Sequence, residues 1–252
     1  MKLIVPNNIF TTLFLMSINK VDRKDIEIKE ASLISSEVSK NESVIGLIPS
    51  FDLINNRDLY VSSKLGFGFE SFLSNSYIYY SNQSEEISNI LLRGDITTNE
   101  VILSKIVFQE RYNLSVDVAL DSEEKMNEMN NYLVVGNENW QNNYYLKGTS
   151  FCEHVSEIID FPYMNFVFVS KNKDLMEEFN SKFSNVNKLV LSGLKNNLDQ
   201  IGFDSELNDF IKCEIDSIYF DLTQNELDGL KELLQLAYYH KIIDDMFDVK
   251  FV

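Results

Sequence analysis

Hydroxyl and amide side chains follow several apolar segments of this sequence at the point where each segment ends. In the stretch VIGLIPSFDLINN, for example, an apolar run ends at Pro49 and Ser50 follows directly. Ligands of open α/β sheets bind beyond the carboxyl ends of the parallel strands, and hydroxyl groups at helix N-termini there favour a carboxylate. The polar positions of this kind, including the SNS run that opens the segment SYIYYS, are Asn7, Asn8, Thr11, Thr12, Ser50, Ser74, Asn75, Ser76, Thr97, Thr98 and Asn137.

Each of these side chains taken alone is typical of a helix cap, so a site is predicted only if the fold brings them together. The N-terminal part alternates between strand and helix patterns. The strand patterns are KLIVP, IEIKEAS and SVIGLIP, and the helix patterns between them are NIFTTLFLMSINK and LISSEVSK. This βαβαβ order favours a parallel sheet with helices on its faces. The following residues, 57–75, are rich in serine, glycine and aromatic residues and are predicted to form a loop.

The middle of the chain repeats the alternation, and its last eighty residues are mostly helical in pattern. Strands are predicted for SYIYYS, SNILLRGD, LSVDVAL, NYLVVGNEN and, after Pro162, YMNFVFVSK. Helices are predicted for TTNEVILSKIVFQERYN, with Thr97 or Thr98 as its cap, for the acidic segment DSEEKMNEMN and for TSFCEHVSEIIDF. Further helices are KDLMEEFNSKFSNVNKLVLSGLKNNLDQI, read as one long helix, and LTQNELDGLKELLQLAYYHKII, where Thr223 and Glu226 have the spacing of a capping box.

Together these segments predict an α/β fold with two lobes and a helical C-terminal part. SYIYYS and YMNFVFVS would be the two crossing strands between the lobes. The first lobe would then comprise residues 1–76 and 165–252, and the second lobe residues 77–164. A cleft between the lobes would collect the polar strand ends.

Composition and charge exclude several classes of function. The chain of 252 residues has a formal charge of −17, which argues against nucleic acid and against anionic membranes as partners. A small anionic ligand stays compatible with this charge, because such sites use local donors. The first twenty residues resemble a signal peptide, but Pro6 and the following asparagines break the apolar run. Cys152 and Cys213 are far apart without a CxxC pattern, so we expect no disulfide and a cytoplasmic protein.

Sequence signatures of cofactor, metal and nucleophile chemistry are missing. The chain has no GxGxxG, Walker, HExxH or GxSxG motif. Its two histidines, His154 and His240, do not form a site by their spacing, and the acidic runs are typical of solvated faces. We therefore expect a site without a metal or a cofactor.

Several segments resemble the chorismate dehydratases of menaquinone biosynthesis, a family with the type II periplasmic-binding-protein fold. SVIGLIPSFDLINN is similar to a strand and turn of that family in which ALIPS is followed by an acidic residue and a tyrosine. NSYIYYS is similar to its crossing strand RSVLLFS, and TTNEVILSKIVFQERY to its helix TSVALLRLLLRERY. YLVVGNENW resembles LLIGDAAL, and CEHVSEIIDFPYMNFVFVSKN resembles EWKEWTGLPFVFAVWAVR. The resemblance extends over nearly the whole chain.

The resemblance implies a lyase that dehydrates chorismate to 3-enolpyruvylbenzoate in the futalosine pathway. The family's catalytic serine falls on Ser76, and its loop asparagine corresponds to Asn8 or Asn7, which come slightly early in NNIFTTLFL compared with the family's YLNT-PL. The acidic residue of the family's IGD stretch is replaced by Asn137. Residues expected to bind the small anionic carboxylate substrate are Thr11, Thr12, Ser50, Ser74, Asn75, Thr97, Thr98 and Asn137. Two alternatives remain: a non-catalytic binding protein for a small carboxylate, or an enzyme acting on a related futalosine-derived substrate.

Overall fold

Two β-sheets organise the structure, a computed structural model that describes residues 1–18, 22–81, 87–197 and 203–252. The strands of the first sheet are β1 Lys2–Pro6, β2 Ile26–Lys29, β3 Val44–Pro49, β4 Tyr60–Phe69, β10 Tyr163–Ser170, β11 Ile218–Asp221 and β12 Lys250–Phe251. The strands of the second sheet are β5 Ser76–Tyr79, β6 Asn89–Gly94, β7 Asp117–Leu120, β8 Tyr132–Val135 and β9 Thr149–Ser150.

The helices surround these sheets. The α-helices are α1 Ile9–Ser17, α2 Ala31–Val38, α3 Thr98–Tyr112, α4 Phe151–Ile159, α5 Lys173–Lys182, α6 Val186–Asn197, α7 Ser205–Glu214 and α8 Gln224–Tyr239. Short 3-10 helices are Arg23–Asp25, Ser50–Ile54, Gly136–Leu146 and Ile215–Ser217. The later helices lie on the first sheet: α5 packs on β4 and β10, α6 on β11 and α1, and α8 on β10.

The first sheet has the order β11-β4-β10-β3-β1-β2, with β12 paired to β4. The predicted βαβαβ unit is confirmed, because β1 pairs in parallel with both β2 and β3. Strand β10 is antiparallel to β3 and β4. In the second sheet, of order β7-β6-β8-β5-β9, strands β6, β7 and β8 are parallel and β5 is antiparallel.

The chain passes between the two sheets at residues 70–75, before β5, and at residues 160–162, before β10. The part built on the first sheet is called the first lobe below, and the part built on the second sheet the second lobe. The segments SYIYYS and YMNFVFVS therefore form strands beside the two crossings, as expected. The limits of the lobes at 76/77 and 164/165 stay a prediction.

Aromatic packing under α1 fixes the position of this helix on the first sheet. The ring of Phe14 lies 5.6 Å from that of Phe67 and 5.4 Å from that of Phe168, measured between centroids. All three side chains are fully buried. Burying such a side chain contributes roughly 1.5–3 kcal/mol, so the N-terminal end of α1, with Asn8, is held firmly against the sheet.

The predicted loop over residues 57–75 is wrong, because Tyr60–Phe69 forms β4, an inner strand of the first sheet. Its glycines suggested a loop, but they have a packing role. A Cβ atom on Gly66 would lie 2.7 Å from the Met164 side chain, and one on Gly68 would lie 2.9 Å from its sulfur. Glycine at these positions lets β4 approach β10 closely.

Two helix predictions are also wrong. Residues 121–130 contain no helix, because Arg93 binds the Asp121 carboxylate at 2.8 Å and the carbonyls of residues 123 and 124 at 2.7 and 2.9 Å. The long C-terminal segment is divided into α5 and α6, with Asn185 in a left-handed conformation at φ 56° between them. The last residues of that predicted helix, from 198, lie outside the described ranges.

Two predicted caps are confirmed. Thr97 caps α3 and Thr223 caps α8, and each forms a capping box with the glutamate three residues later.

Candidate functional site

The N-terminus of α1 places Asn8 and Thr11 between the lobes. Asn8 is the N-cap of the helix, and its Oδ1 accepts a hydrogen bond of 2.8 Å from the Thr11 amide. Both side chains are buried. Asn8 Nδ2 and Thr11 Oγ1 have no hydrogen-bond partner among the described residues. These two atoms are therefore available to a ligand.

The start of β5 contains a compact group of hydroxyls. The Ser74 hydroxyl donates to the Ser76 carbonyl at 2.6 Å and accepts from the amides of Ser76 and Cys152 at 3.2 and 3.3 Å. The Ser76 hydroxyl lies beside the Cys152 thiol, a weak hydrogen-bonding group. Within the described part of the chain, Ser76 Oγ and Asn75 Oδ1 are buried without a hydrogen-bond partner.

The N-terminus of α3 adds a buried carboxyl group. Glu100 Oε2 accepts from the Thr97 amide at 3.0 Å and from the Thr97 hydroxyl at 2.6 Å. Its other oxygen, Oε1, is buried and lacks a partner among residues whose placement is described. Burial raises the pKa of Glu100 to about 7. A carboxyl with this pKa holds and releases a proton near neutral pH.

Eleven described side chains have a buried polar atom without a described hydrogen-bond partner, and six of them lie at the ends of strands and helices discussed above or beside them. We call these six the interlobe cluster: Asn8, Thr11, Asn75, Ser76, Glu100 and Asn165. Native proteins leave few buried polar atoms unpaired, since each unpaired atom costs about 1–3 kcal/mol. Their concentration where two lobes meet indicates a place for a polar ligand.

Shared neighbours connect the members around Ser76 and Glu100. The thiol of Cys152, beside Ser76, interacts electrostatically with Glu100. The Tyr163 phenol interacts with Glu100 as well, and it accepts a hydrogen bond of 2.9 Å from Asn165 Nδ2. Burial raises the pKa of Cys152 to about 11 and that of Tyr163 well above its usual value. Both groups are therefore protonated at neutral pH.

Trp140 packs against aromatic side chains of both lobes. Its ring lies 6.1 Å from that of Phe10, which stands between Asn8 and Thr11, and 5.9 Å from that of Tyr77, which follows Ser76. The buried indole Nε1 of Trp140 also has no partner in the described ranges. Trp140 is therefore part of the aromatic packing between the lobes.

Direct hydrogen bonds hold the lobes together around the cluster. Asn99 Oδ1 accepts from the Phe51 amide at 2.9 Å, and its Nδ2 donates to the Asn165 carbonyl at 2.7 Å. The Thr98 hydroxyl donates to Asp52 Oδ1 at 2.7 Å. Burial raises the pKa of Asp52, and its bonds to hydroxyl groups act in the opposite direction. The N-terminus of α3 is thus fixed to the first lobe.

An open cleft of about 510 Å³ lies between the lobes, and none of the six cluster members lines it. Asn7 of the first lobe lines it, and the Asn137 amide of the second lobe donates to the Asn7 carbonyl at 3.0 Å. Four carboxylates also line it, namely Glu30, Asp95, Asp121 and Glu138. The Arg93 guanidinium in the same cleft pairs with Glu138 at 2.5 Å and with Asp121 at 2.8 Å. The cleft is therefore negatively charged.

Some predicted site residues have their side chains engaged elsewhere. The Ser50 hydroxyl is buried and donates to the Met164 carbonyl, so it joins β3 to β10 and does not cap the following 3-10 helix. The Thr12 hydroxyl donates to the carbonyl of Asn8 at 3.3 Å, within its own helix turn. The Asn7 and Asn137 side chains are exposed at the cleft. Of the two loop asparagines, Asn8 is the one whose side chain is buried in the cluster.

Glu100, Cys152, Tyr163 and Asn165 belong to the site, although the sequence patterns did not point to them. Glu100 had a signal, because Thr97 and Glu100 have the spacing of a capping box. Tyr163 and Asn165 lie two apart at the start of β10, and residues two apart in a strand share one face. Cys152 had no signal in the sequence.

The described ranges contain no group of three His, Cys, Asp or Glu side chains placed to hold a metal ion. Nor does any helix in them have the length and apolar character needed to cross a membrane. The two cysteines are free, Cys152 buried and Cys213 exposed.

Comparison with solved structures identifies the fold. Protein AF1704 from Archaeoglobus fulgidus superimposes with a TM-score of 0.62 at 15% identity, covering 96% of this chain and 98% of that one. An ABC transporter protein from Parabacteroides distasonis gives 0.60 at 12% identity, covering 96% and 92%. The alkanesulfonate-binding protein SsuA from Xanthomonas axonopodis pv. citri gives 0.56 at 7% identity, covering 96% and 93%. No family model and no curated protein matches the sequence.

At these identities the likeness concerns the fold alone. The predicted fold class is confirmed: the chain has a two-lobe α/β fold like that of type II periplasmic binding proteins.

Proposed function

We propose that the interlobe cluster binds a small carboxylate and that the chain dehydrates chorismate to 3-enolpyruvylbenzoate, the futalosine-pathway step of menaquinone biosynthesis. One observation carries the proposal. Ser76 and Asn8, to which the resemblance assigns the catalytic roles, come from different lobes, and both are buried with an unpaired polar atom. Residues with a purely structural role would be expected to have these atoms paired.

The reaction suits such a site. Chorismate loses the proton of the ring carbon that carries the enolpyruvyl ether, the neighbouring carbon loses its hydroxyl, and the ring becomes aromatic. The site has to hold the substrate's two carboxylates and to stabilise the charge on the leaving oxygen. Asn8 Nδ2, Thr11 Oγ1 and Ser76 Oγ can donate for these purposes. In our proposal a carboxylate of the substrate removes the ring proton.

Enclosure would strengthen these interactions. The members of the cluster are buried, and the hydrogen bonds of Asn99 and Thr98 join the lobes beside Asn165 and Glu100. Donors in a water-excluded site act more strongly on developing charge. The cleft between the lobes has a volume within the range of about 300–1,000 Å³ found for small-molecule sites. The structural neighbour SsuA, with the same kind of fold, was solved bound to the small molecule MOPS.

A non-catalytic binding protein is the second candidate, either for a small carboxylate held by the cluster or for an amine held in the negatively charged cleft. Four carboxylates and one guanidinium line the cleft, and the guanidinium is paired. This arrangement repels a dianion and attracts a cationic ligand such as an amine. A carboxylate ligand would be held by the unpaired atoms of the cluster without chemistry.

Incubation of the purified protein with chorismate, followed by chromatography, tests the proposal. We expect 3-enolpyruvylbenzoate to form, and the double variant Ser76→Ala, Asn8→Ser to form none above the uncatalysed background. Binding of chorismate without product, measured by calorimetry, would favour the binding protein. If chorismate is neither bound nor converted, it is rejected as the ligand. Futalosine-derived compounds would then be assayed in the same way.

A further inference from the structure

Glu100 is the member of the interlobe cluster with an ionisable side chain. It is 1% exposed, at the N-terminal end of α3, and its neighbours come from both lobes. Cys152 of α4 and Tyr163 of β10 interact with its carboxyl group, and so does Asp95 from the loop before α3. These are the titratable groups that face Glu100 from the elements packed around it.

The carboxyl of Glu100 has two oxygens with different surroundings. Oε2 is fixed by the Thr97 amide and hydroxyl, at 3.0 and 2.6 Å. Oε1 is buried, and no hydrogen-bond partner for it is found in the described residues. Helix α8 has the same capping box, in which Glu226 Oε2 accepts from the Thr223 amide and hydroxyl at 2.6 Å each. Glu226 has no buried unpaired oxygen in the described part of the chain. The capping role alone therefore does not explain Oε1.

The proton of Glu100 is available at neutral pH. Desolvation raises the pKa of Glu100 to about 7, and the nearby negative charge of Asp95 acts in the same direction. The Cys152 thiol, with a pKa of about 11, and the Tyr163 phenol, whose pKa is higher than usual, hold their protons throughout this range. Below about pH 7 Glu100 is a carboxylic acid, able to donate from a fixed position.

We propose that Glu100 is a catalytic residue, the general acid that protonates the leaving hydroxyl from Oε1. The inference rests on the proposed dehydration. As the C–O bond of chorismate breaks, its electron pair stays on the oxygen, which takes the Glu100 proton and departs as water. The proton removed from the neighbouring ring carbon returns to Glu100 before the next turnover. The products are one 3-enolpyruvylbenzoate and one water, and no oxidant or co-reactant is required.

The pH dependence of turnover tests the inference. In the wild type, kcat/KM for chorismate should fall as the pH rises through about 7, because the deprotonated acid cannot donate. Glu100→Gln keeps an oxygen for the Thr97 cap but has no acidic proton. We expect this variant to lose about 10²–10⁴-fold in kcat, to lack the fall near neutral pH, and to bind chorismate with nearly the wild-type Kd.

Glu226→Gln is the matched control, since it alters the same capping box on α8, a helix that contributes no member to the cluster. It should lower the melting temperature about as much as Glu100→Gln and leave kcat and its pH profile unchanged. A wild-type kcat in Glu100→Gln, or a flat wild-type profile from pH 6 to 9, would overturn the inference while the dehydratase assignment stands. If Glu100→Gln does not fold, the pH profile of the wild type and that of Asp95→Asn decide. In Asp95→Asn the fall in kcat/KM should move to lower pH. A wild-type protein that forms no product from chorismate would reject both proposals.

Discussion

Ser74 and Ser76 are neighbouring buried serines at the start of β5 with opposite surroundings. The Ser74 hydroxyl has three hydrogen bonds, to the Ser76 carbonyl and from two amides. The Ser76 hydroxyl lies beside the Cys152 thiol and has no other hydrogen-bond partner among the described residues. A hydroxyl with three bonds supports the structure, whereas one held without them is suited to a ligand.

We predict that Ser76→Ala lowers turnover of chorismate by roughly 10²-fold or more, as the loss of one preorganised donor does. The free energy of unfolding should change little, because only the weak interaction with the Cys152 thiol is lost. Ser74→Ala, in contrast, should destabilise the fold by about 1–3 kcal/mol through the amides that it leaves unpaired. Steady-state kinetics and urea unfolding of both variants check this. A Ser76→Ala variant that is destabilised but fully active would assign Ser76 to the structure.

Asn8 combines a cap with a ligand donor, and two substitutions separate the roles. Asn8→Ala should cost about 0.5–2 kcal/mol of stability through the lost cap of α1, and it should also weaken chorismate binding. Asn8→Ser keeps a capping oxygen, so we expect near-wild-type stability with the same weakened binding. Asn7→Ala is the control, because the Asn7 side chain is exposed and its carbonyl makes the contact with Asn137. Calorimetric titration with chorismate, combined with melting curves, distinguishes the three variants.

The sequence pointed to several members of the interlobe cluster and missed its other residues and neighbours for identifiable reasons. Asn8, Thr11, Asn75 and Ser76 were found because polar residues at strand and helix ends are visible in sequence order. Ser50 was expected to face the ligand, but tertiary packing gave its hydroxyl the Met164 carbonyl as a partner. Cys152 was missed, since only the packing of α4 on β5 brings a thiol to Ser76.

At the scale of elements, the N-terminus of α3 does most to join the lobes. Asn99 satisfies a main-chain amide and a main-chain carbonyl of the first lobe, and it is fully buried. Thr97 and Glu100 close the same helix end. One helix terminus thus combines the contact between the lobes with the ionisable group of the cluster.

We predict that Asn99→Ala destabilises the protein by about 2–5 kcal/mol, because two buried main-chain groups lose their partner. Asn137→Ala removes a single interlobe hydrogen bond at an exposed position, so it should cost less than about 1 kcal/mol. Equilibrium unfolding in urea measures both. Equal losses in the two variants would contradict the central role given to Asn99.

The predictions of strands and helices failed where contacts with residues distant in sequence, and not the local sequence pattern, determine the structure. Runs of apolar residues correctly indicated β1, β3 and β10. The glycines of β4, in contrast, led to the prediction of a loop where the structure has an inner strand. The acidic segment 121–130 has the composition of a helix, but Arg93 donates hydrogen bonds to the carbonyls of residues 123 and 124. Neither partner, Met164 for β4 or Arg93 for the acidic segment, is close in sequence.

At the scale of the whole molecule, the enclosed cluster requires the lobes to separate before a ligand can enter. We expect small-angle scattering to show a slightly smaller radius of gyration with chorismate than without it, as for other proteins with hinged lobes. The Ser76→Ala, Asn8→Ser double variant serves as the control and should show no compaction. Identical scattering curves for the wild type with and without saturating ligand would contradict closure.

Four hydrogen bonds between the lobes use main-chain atoms of the first lobe: the amides of Ala31 and Phe51 and the carbonyls of Asn7 and Asn165. A main-chain group is present whatever side chain stands at the position, with proline as the exception at an amide. Random mutation is therefore tolerated unequally on the two sides of this contact. In a library selected for function, these bonds allow the four first-lobe positions to vary. At their partners Asp95, Asn99 and Asn137 the identity of the side chain matters. This difference allows the side chains on the first-lobe surface to change without altering how the lobes meet.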